Sequence, residues 1–214
     1  LGSGLYGFVT TSGGNYTEFI GDNPNTSEVE TDSIATCMVL NDDFSQFPEG
    51  AQGALDSTTS HEYVHAIQFA YGDPSPFEDN MWYESVAAYM EDEIFDSANS
   101  DYQYLWPVVE NCLGEWPDNG APGGVSQYSN FTFFRHIAEH NGGTNQPGGG
   151  EDVAQTLWKN IGAGQSGLDA YNNALAAEGT DSTNLNDAFH KYAIAIKNSK
   201  ACGAGYAAPY CFEE

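Results

Sequence analysis

Two histidines with a glutamate between them, His61-Glu62-Tyr63-Val64-His65, are the residues in this chain whose types and spacing most clearly suit chemistry. On a helix, positions i and i+4 lie one above the other on the same face, so both imidazoles can address one zinc ion. Glu62 sits about 100° round the helix, where its carboxylate can reach a water on the metal rather than the metal itself. A catalytic zinc usually holds three side chains and one water. The next histidine after His65 is His136, so the third ligand has to be sought among carboxylates. Glu84 stands in Met81-Trp-Tyr-Glu-Ser-Val-Ala-Ala-Tyr-Met90, an otherwise apolar run where an unpaired carboxylate would be costly. Two other readings stay open: a structural zinc staple closed by a fourth protein ligand, and a surface- or carbohydrate-binding module with an aromatic groove.

The motif needs a helix under it and a second helix beside it. Residues 57–71 offer caps in Asp56-Ser-Thr-Thr-Ser60 and then a helical pattern that ends at Gly72, with Pro74 beyond. Residues 79–95 carry apolar residues at 82, 86, 87, 90 and 94, the spacing of a helix that a turn at 72–76 would return antiparallel. Further helices are expected over 126–140, 151–162, 166–178 and 184–199, and strands within 5–11 and 33–40. The fold class is therefore α+β, in one domain over 1–214: a strand-rich lobe to residue 56, then the active-site and helical lobe.

Thirty-one acidic residues face five basic ones, a net charge of −26, and such a surface cannot neutralise a phosphate backbone. Nucleic acid is excluded as a partner, and no run approaches the 18 apolar residues of a membrane span. Like charges at this density repel unless screened by salt or met by cations. A saline habitat and bound calcium are two accounts, the latter at Asp42-Asp43 or around Asp92, Glu93, Asp96 and Asp101. Cys202 and Cys211 bracket a short Gly/Pro-rich segment and are expected to pair, leaving Cys37–Cys112 by elimination. The cysteines, the few lysines and the wealth of Ser, Thr, Asn and Gly suit a secreted protein. The start at Leu1 suits a processed one. Arg135, the sole arginine, is expected to pair with a carboxylate, and the glycosylation pattern at Asn130 falls in an expected helix.

His-Glu-x-x-His followed by 18 residues and a glutamate resembles the glutamate zincins, the thermolysin and aminopeptidase group of zinc peptidases. His61-Glu-Tyr-Val-His-Ala-Ile-Gln-Phe-Ala-Tyr71, Trp82-Tyr-Glu-Ser-Val-Ala-Ala-Tyr-Met-Glu-Asp-Glu93, Asp101-Tyr-Gln-Tyr-Leu105 and Gln127-Tyr-Ser-Asn-Phe-Thr-Phe-Phe-Arg-His-Ile-Ala-Glu139 look like a sparsely characterised group of secreted bacterial metalloproteases. The resemblance implies His61, His65 and Glu84 as zinc ligands and Glu62 as general base. It implies a zincin-like fold with the zinc site in a cleft, a peptide or protein substrate, and a monomer. It also implies an edge strand along the cleft, expected to be the one ending near Leu40. Tyr128 is the first candidate to steady the oxyanion, with His136, His140 and Tyr83 as others. Four residues after Glu84 stands Ala88 rather than the aspartate that orients the first zinc histidine in thermolysin-like enzymes. That role falls to Glu91 or a backbone carbonyl.

Overall fold

Among the residues described by the structure, a computed structural model, four short strands precede six α-helices, as the α+β expectation requires. Those residues are 4–11, 20–24, 27, 29–30, 33–72, 80–98, 100–105, 128–141 and 151–198. They belong to two units, Leu1–Phe131 and Thr132–Glu214. Cys112, Cys202 and Cys211 lie outside the described residues, so both expected disulfides do as well. Cys37 is exposed and makes no disulfide among the described residues.

In the first unit, β1 (Gly7–Thr11) pairs antiparallel with β4 (Thr36–Leu40), Gly7 opposite Leu40 and Val9 opposite Met38. A second pair joins β2 (Ile20–Gly21) to β3 (Ser33–Ile34). The apolar run 33–40 is thus two strands broken at Ala35. A 3-10 turn over Phe44–Gln46 follows, capped by Asp43, whose carboxylate accepts from the Ser45 amide at 3.0 Å and the Ser45 hydroxyl at 2.6 Å. Asp43 therefore serves the turn. Among the described residues, no three ligand atoms gather in either acidic stretch considered for calcium.

Helix α1 (Gly50–Tyr71) begins seven residues earlier than the capping residues suggested. The hydroxyls in 57–60 do not cap. Ser57 and Thr58 donate to the Ala54 carbonyl at 3.3 and 2.6 Å, and Ser60 to that of Ser57 at 2.8 Å. Bonded back to their own helix, these side chains can be buried in its interior. Ala54 and Leu55, in the added turns, pack with Phe44, Phe47 and Tyr6. Gly72, at φ 152°, ends the helix, its amide donating to the Phe69 carbonyl at 3.2 Å. Helix α2 (Asn80–Ile94) packs along α1, and a 3-10 turn over Ser100–Tyr104 follows it.

Helix α1 also carries β1 at very short range. A Cβ added at Gly7 would lie 2.9 Å from Thr58 Cγ2, 3.0 Å from the Val39 carbonyl oxygen and 3.1 Å from Leu40 Cδ2. Only glycine lets the strand lie this close to the helix turn that precedes His61.

The second unit holds most of α3 (Phe131–His140), with α4 (Glu151–Gly162), α5 (Gly167–Glu178) and α6 (Leu185–Asn198). Its core is aromatic: Phe133 meets Tyr171, Phe189 and Tyr192 with ring centroids 5.2–5.8 Å apart. The hydroxyls of Thr132 and Tyr192 share a hydrogen bond of 2.6 Å. Arg135 pairs within α3 with Glu139 at 3.0 Å, and Lys191 with Asp181 and Asp187 at 2.9 and 2.8 Å. Asn130 is 0% exposed, so its glycosylation pattern is closed to an enzyme acting on the folded chain.

Gly7→Ala should lower stability by about 1–3 kcal/mol, the usual cost of forcing extra atoms into a packed site. Urea denaturation reads this directly. Adding Thr58→Ser, which removes the clashing methyl and keeps the hydroxyl, should recover part of the loss. A wild-type midpoint for Gly7→Ala alone would mean that β1 can retreat without penalty.

Candidate metal centre

His61 and His65 lie on α1, and Glu84 lies on α2; helix–helix packing brings the three together. His61 Nε2 is 3.0 Å from His65 Nε2 and 3.2 Å from Glu84 Oε2, and His65 Nε2 is 3.3 Å from that same oxygen. Among the described residues these are the side chains whose ligand atoms converge in a set suited to a metal ion. Ligand atoms of a tetrahedral zinc at 2.0–2.1 Å are separated by roughly 3.3–3.4 Å, so the triangle already has about the right size.

The outer nitrogens decide what the inner ones can be. His61 Nδ1 lies 2.8 Å from Glu91 Oε1, an acceptor, so Nδ1 carries the proton. The other Glu91 oxygen accepts from the Ser100 hydroxyl at 2.7 Å. His65 Nδ1 faces Gln68 Oε1 at 2.7 Å, while Gln68 Nε2 donates to the Tyr83 carbonyl at 3.1 Å. That donation fixes which way the amide points, and it gives His65 an acceptor at Nδ1 as well. Both Nε2 lone pairs are therefore turned inward, onto each other and onto a carboxylate oxygen. Three acceptors this close require a cation between them.

With no metal present a proton meets the requirement. Burial works against a charged His61, but the hydrogen bonds and charges of Glu84 and Glu91 outweigh it and lift its pKa from 6.5 to about 10. Burial likewise opposes a charged Glu84, yet the two histidines hold it down at about 2. The stabilisation linked to Glu84 is fully present above about 4.5 and is lost as pH falls through about 2. That linked to His61 is full below about 6.5 and is lost as pH rises through about 10.

Glu62 stands beside this cluster without belonging to it. It is 7% exposed, and its Oε2 meets no hydrogen-bond partner among the described residues. Burial raises its pKa, while the nearby His61 and His65 and a hydrogen bond from the Val9 amide pull the other way. That amide puts β1 against Glu62, and Gly7 of β1, with no residue of β4, lines the cavity beside it, which corrects the expectation that the strand ending near Leu40 runs along the cleft. Tyr6 O accepts from the Asn41 amide at 2.8 Å, which makes that a bonded pair. Alternation along an antiparallel ladder then turns the polar groups of Gly7 and Val9 away from β4, toward α1.

A cavity of about 270 Å³ opens here, lined by His61, Glu62, Glu91, Tyr104 and Tyr128 together with β1 and the preceding turn of α1. Tyr128 sits 5.6 Å from the His61 ring, centroid to centroid, and stacks on Tyr104 at 4.7 Å. His136, by contrast, is buried in the second unit edge-on to Tyr192. Sequence reading missed Tyr104, Ser100 and Gln68. The signal for Gln68 was a lone amide one turn beyond His65 amid apolar residues. Comparison of the chain with protein-family models, curated proteins and solved structures finds no match.

Metal binding has to displace the proton from His61. Zinc affinity should therefore rise about tenfold per pH unit between roughly 7 and 9, with about one proton released per ion. Calorimetry in buffers of differing ionisation heat measures both. Glu91→Gln should weaken zinc binding about 10–100-fold, the range seen when such outer partners are lost. A pH-independent affinity in the wild type would contradict the proton-for-metal exchange.

Proposed function

We propose that this chain is a zinc-dependent peptidase of zincin-like architecture, with His61, His65 and Glu84 as ligands and Glu62 as general base. One observation carries the reading: three lone pairs converge at 3.0–3.3 Å beside a buried carboxylate oxygen that has no partner among the described residues. His61, His65 and Glu84 would hold a zinc ion, which would supply the Lewis acidity that acidifies a water and polarises a carbonyl. Glu62 takes the water's proton at Oε2 and delivers it to the leaving amine. Its raised pKa suits both halves of that task. Tyr128, stacked on Tyr104, donates its phenolic proton to the developing oxyanion.

The ligand set favours catalysis over a structural staple. Among the described residues the cluster stops at three ligand side chains, and a structural site would close the fourth position with protein. Secretion, a monomeric state and an acidic surface suited to saline surroundings belong to the same proposal. Secretion and the saline reading rest on composition, the monomeric state on the resemblance; no described helix is long and apolar enough to cross a membrane.

Glu62→Gln should bind zinc with near wild-type affinity while kcat on a cleavable peptide falls about 10²–10⁴-fold, the range for losing a general base. Tyr128→Phe should lower kcat while leaving KM within a few-fold. Chelator-sensitive hydrolysis of a mixed peptide library, followed by mass spectrometry, supplies the baseline. Undiminished cleavage by Glu62→Gln would falsify the mechanism.

A further inference from the structure

Apart from the Tyr104 and Tyr128 phenols, the side chains lining the cavity beside the candidate metal centre present acceptors and negative charge. The Ser57 and Thr58 hydroxyls, both on its wall, donate to the Ala54 carbonyl and so offer the cavity lone pairs only. The Tyr6 hydroxyl donates to Glu49, 3.3 Å from each carboxylate oxygen, and Gln103 Nε2 also donates to Glu49 at 3.3 Å. Glu91 contributes its charge with both oxygens already satisfied by His61 and Ser100. Glu62 Oε2 is buried and unmet among the described residues. The stacked rings of Tyr104 and Tyr128 add aromatic faces, which attract cations. Tyr6 registers this field: burial first, then the charges of Glu49 and Glu91, push its phenol up to about 12.

We propose that this cavity receives a positively charged nitrogen of the substrate, either the ammonium or guanidinium of a basic side chain or the α-ammonium of a peptide N-terminus. The role in catalysis rests on the peptidase reading; the binding does not. A carboxylate entering here would meet like charge and lone pairs. An aliphatic side chain would strip water from the acceptors and return no donor. An ammonium or guanidinium supplies three to five donors where acceptors and negative charge predominate.

The test uses the full zinc-loaded chain and peptides that differ only beside the scissile bond: Lys, Arg, norleucine, citrulline or Glu, each with a free or an acetylated N-terminus. Lys and Arg should exceed norleucine and citrulline by more than about tenfold in kcat/KM if the side chain enters, since a charged hydrogen bond is worth at least that factor. A comparable loss on acetylation identifies the α-ammonium instead. Glu49→Gln should move the winning ratio toward one, which a purely structural role of Glu49 would not do. Equal rates throughout, or fastest cleavage beside Glu, overturn the proposal.

Binding by calorimetry separates this idea from the peptidase reading. N-acetyl-lysinamide is compared with N-acetyl-norleucinamide, and norleucinamide with its acetylated form. A cationic member that binds at least about tenfold tighter, with no peptide cleaved, leaves the cavity assignment standing and removes the peptidase reading. Equal binding within both pairs removes the cavity assignment.

Discussion

Lone pairs aimed at one point repel, and a fold that aims three of them there must be built around a positive charge. His61, His65 and Glu84 create that demand on two helices. Much of the first unit can be understood as meeting it. The carboxylate of Glu91 and the amide of Gln68 hold the outer protons of the imidazoles, so the inner nitrogens cannot turn into donors. Ser100 and the Tyr83 carbonyl hold those two in turn. The chain of bonds runs from the centre to backbone, and it leaves each ring one orientation.

The two outer partners are not equivalent. Glu91 is charged and favours a positive imidazole, which is why His61 retains a proton so far above its ordinary range when no metal competes. Gln68 is neutral, but it ties His65 to the residue preceding Glu84 and so couples the ligand helices at the centre itself. One arrangement adds charge at the metal; the other adds position. A carboxylate at both places would leave three negative groups around a single divalent ion in a chain already at −26.

Close approach of backbone to backbone completes the site. Gly7 lets β1 lie on α1, and one pleat further along the Val9 amide reaches Glu62. That hydrogen bond favours the ionised carboxylate while burial favours the neutral one. Glu62 is left between the two, with the strand bonded to its carboxylate and Oε2 buried without a partner among the described residues. The same strand forms part of the cavity wall, so a single packing distance sets both the base and the room beside it.

The sequence by itself picked out the side chains that converge. His61, Glu62 and His65 are read from helical periodicity, and Glu84 from the cost of burying a carboxylate in an apolar helix, whereas Glu91 was one of two partners left open for His61, the other being a backbone carbonyl. Helix boundaries from residue 140 onward were also legible, because each segment carries its own apolar periodicity and end signals, whereas the helix expected from residue 126 starts at Phe131. What depends on through-space partners was not. The start of α1 was hidden because serine and threonine look like caps until their hydroxyls are seen bonded to the carbonyls of Ala54 and Ser57. The strand along the cleft was expected to be the one ending near Leu40 rather than β1, since which strand of an antiparallel pair lies against the helix is set by register and packing, not by either strand's composition. Tyr104 and Ser100 join the site from a short turn with no periodicity to announce it. Local pattern encodes which face a residue takes. Only the tertiary structure decides what that face meets, because hydrogen-bond partners distant in sequence leave no trace in spacing.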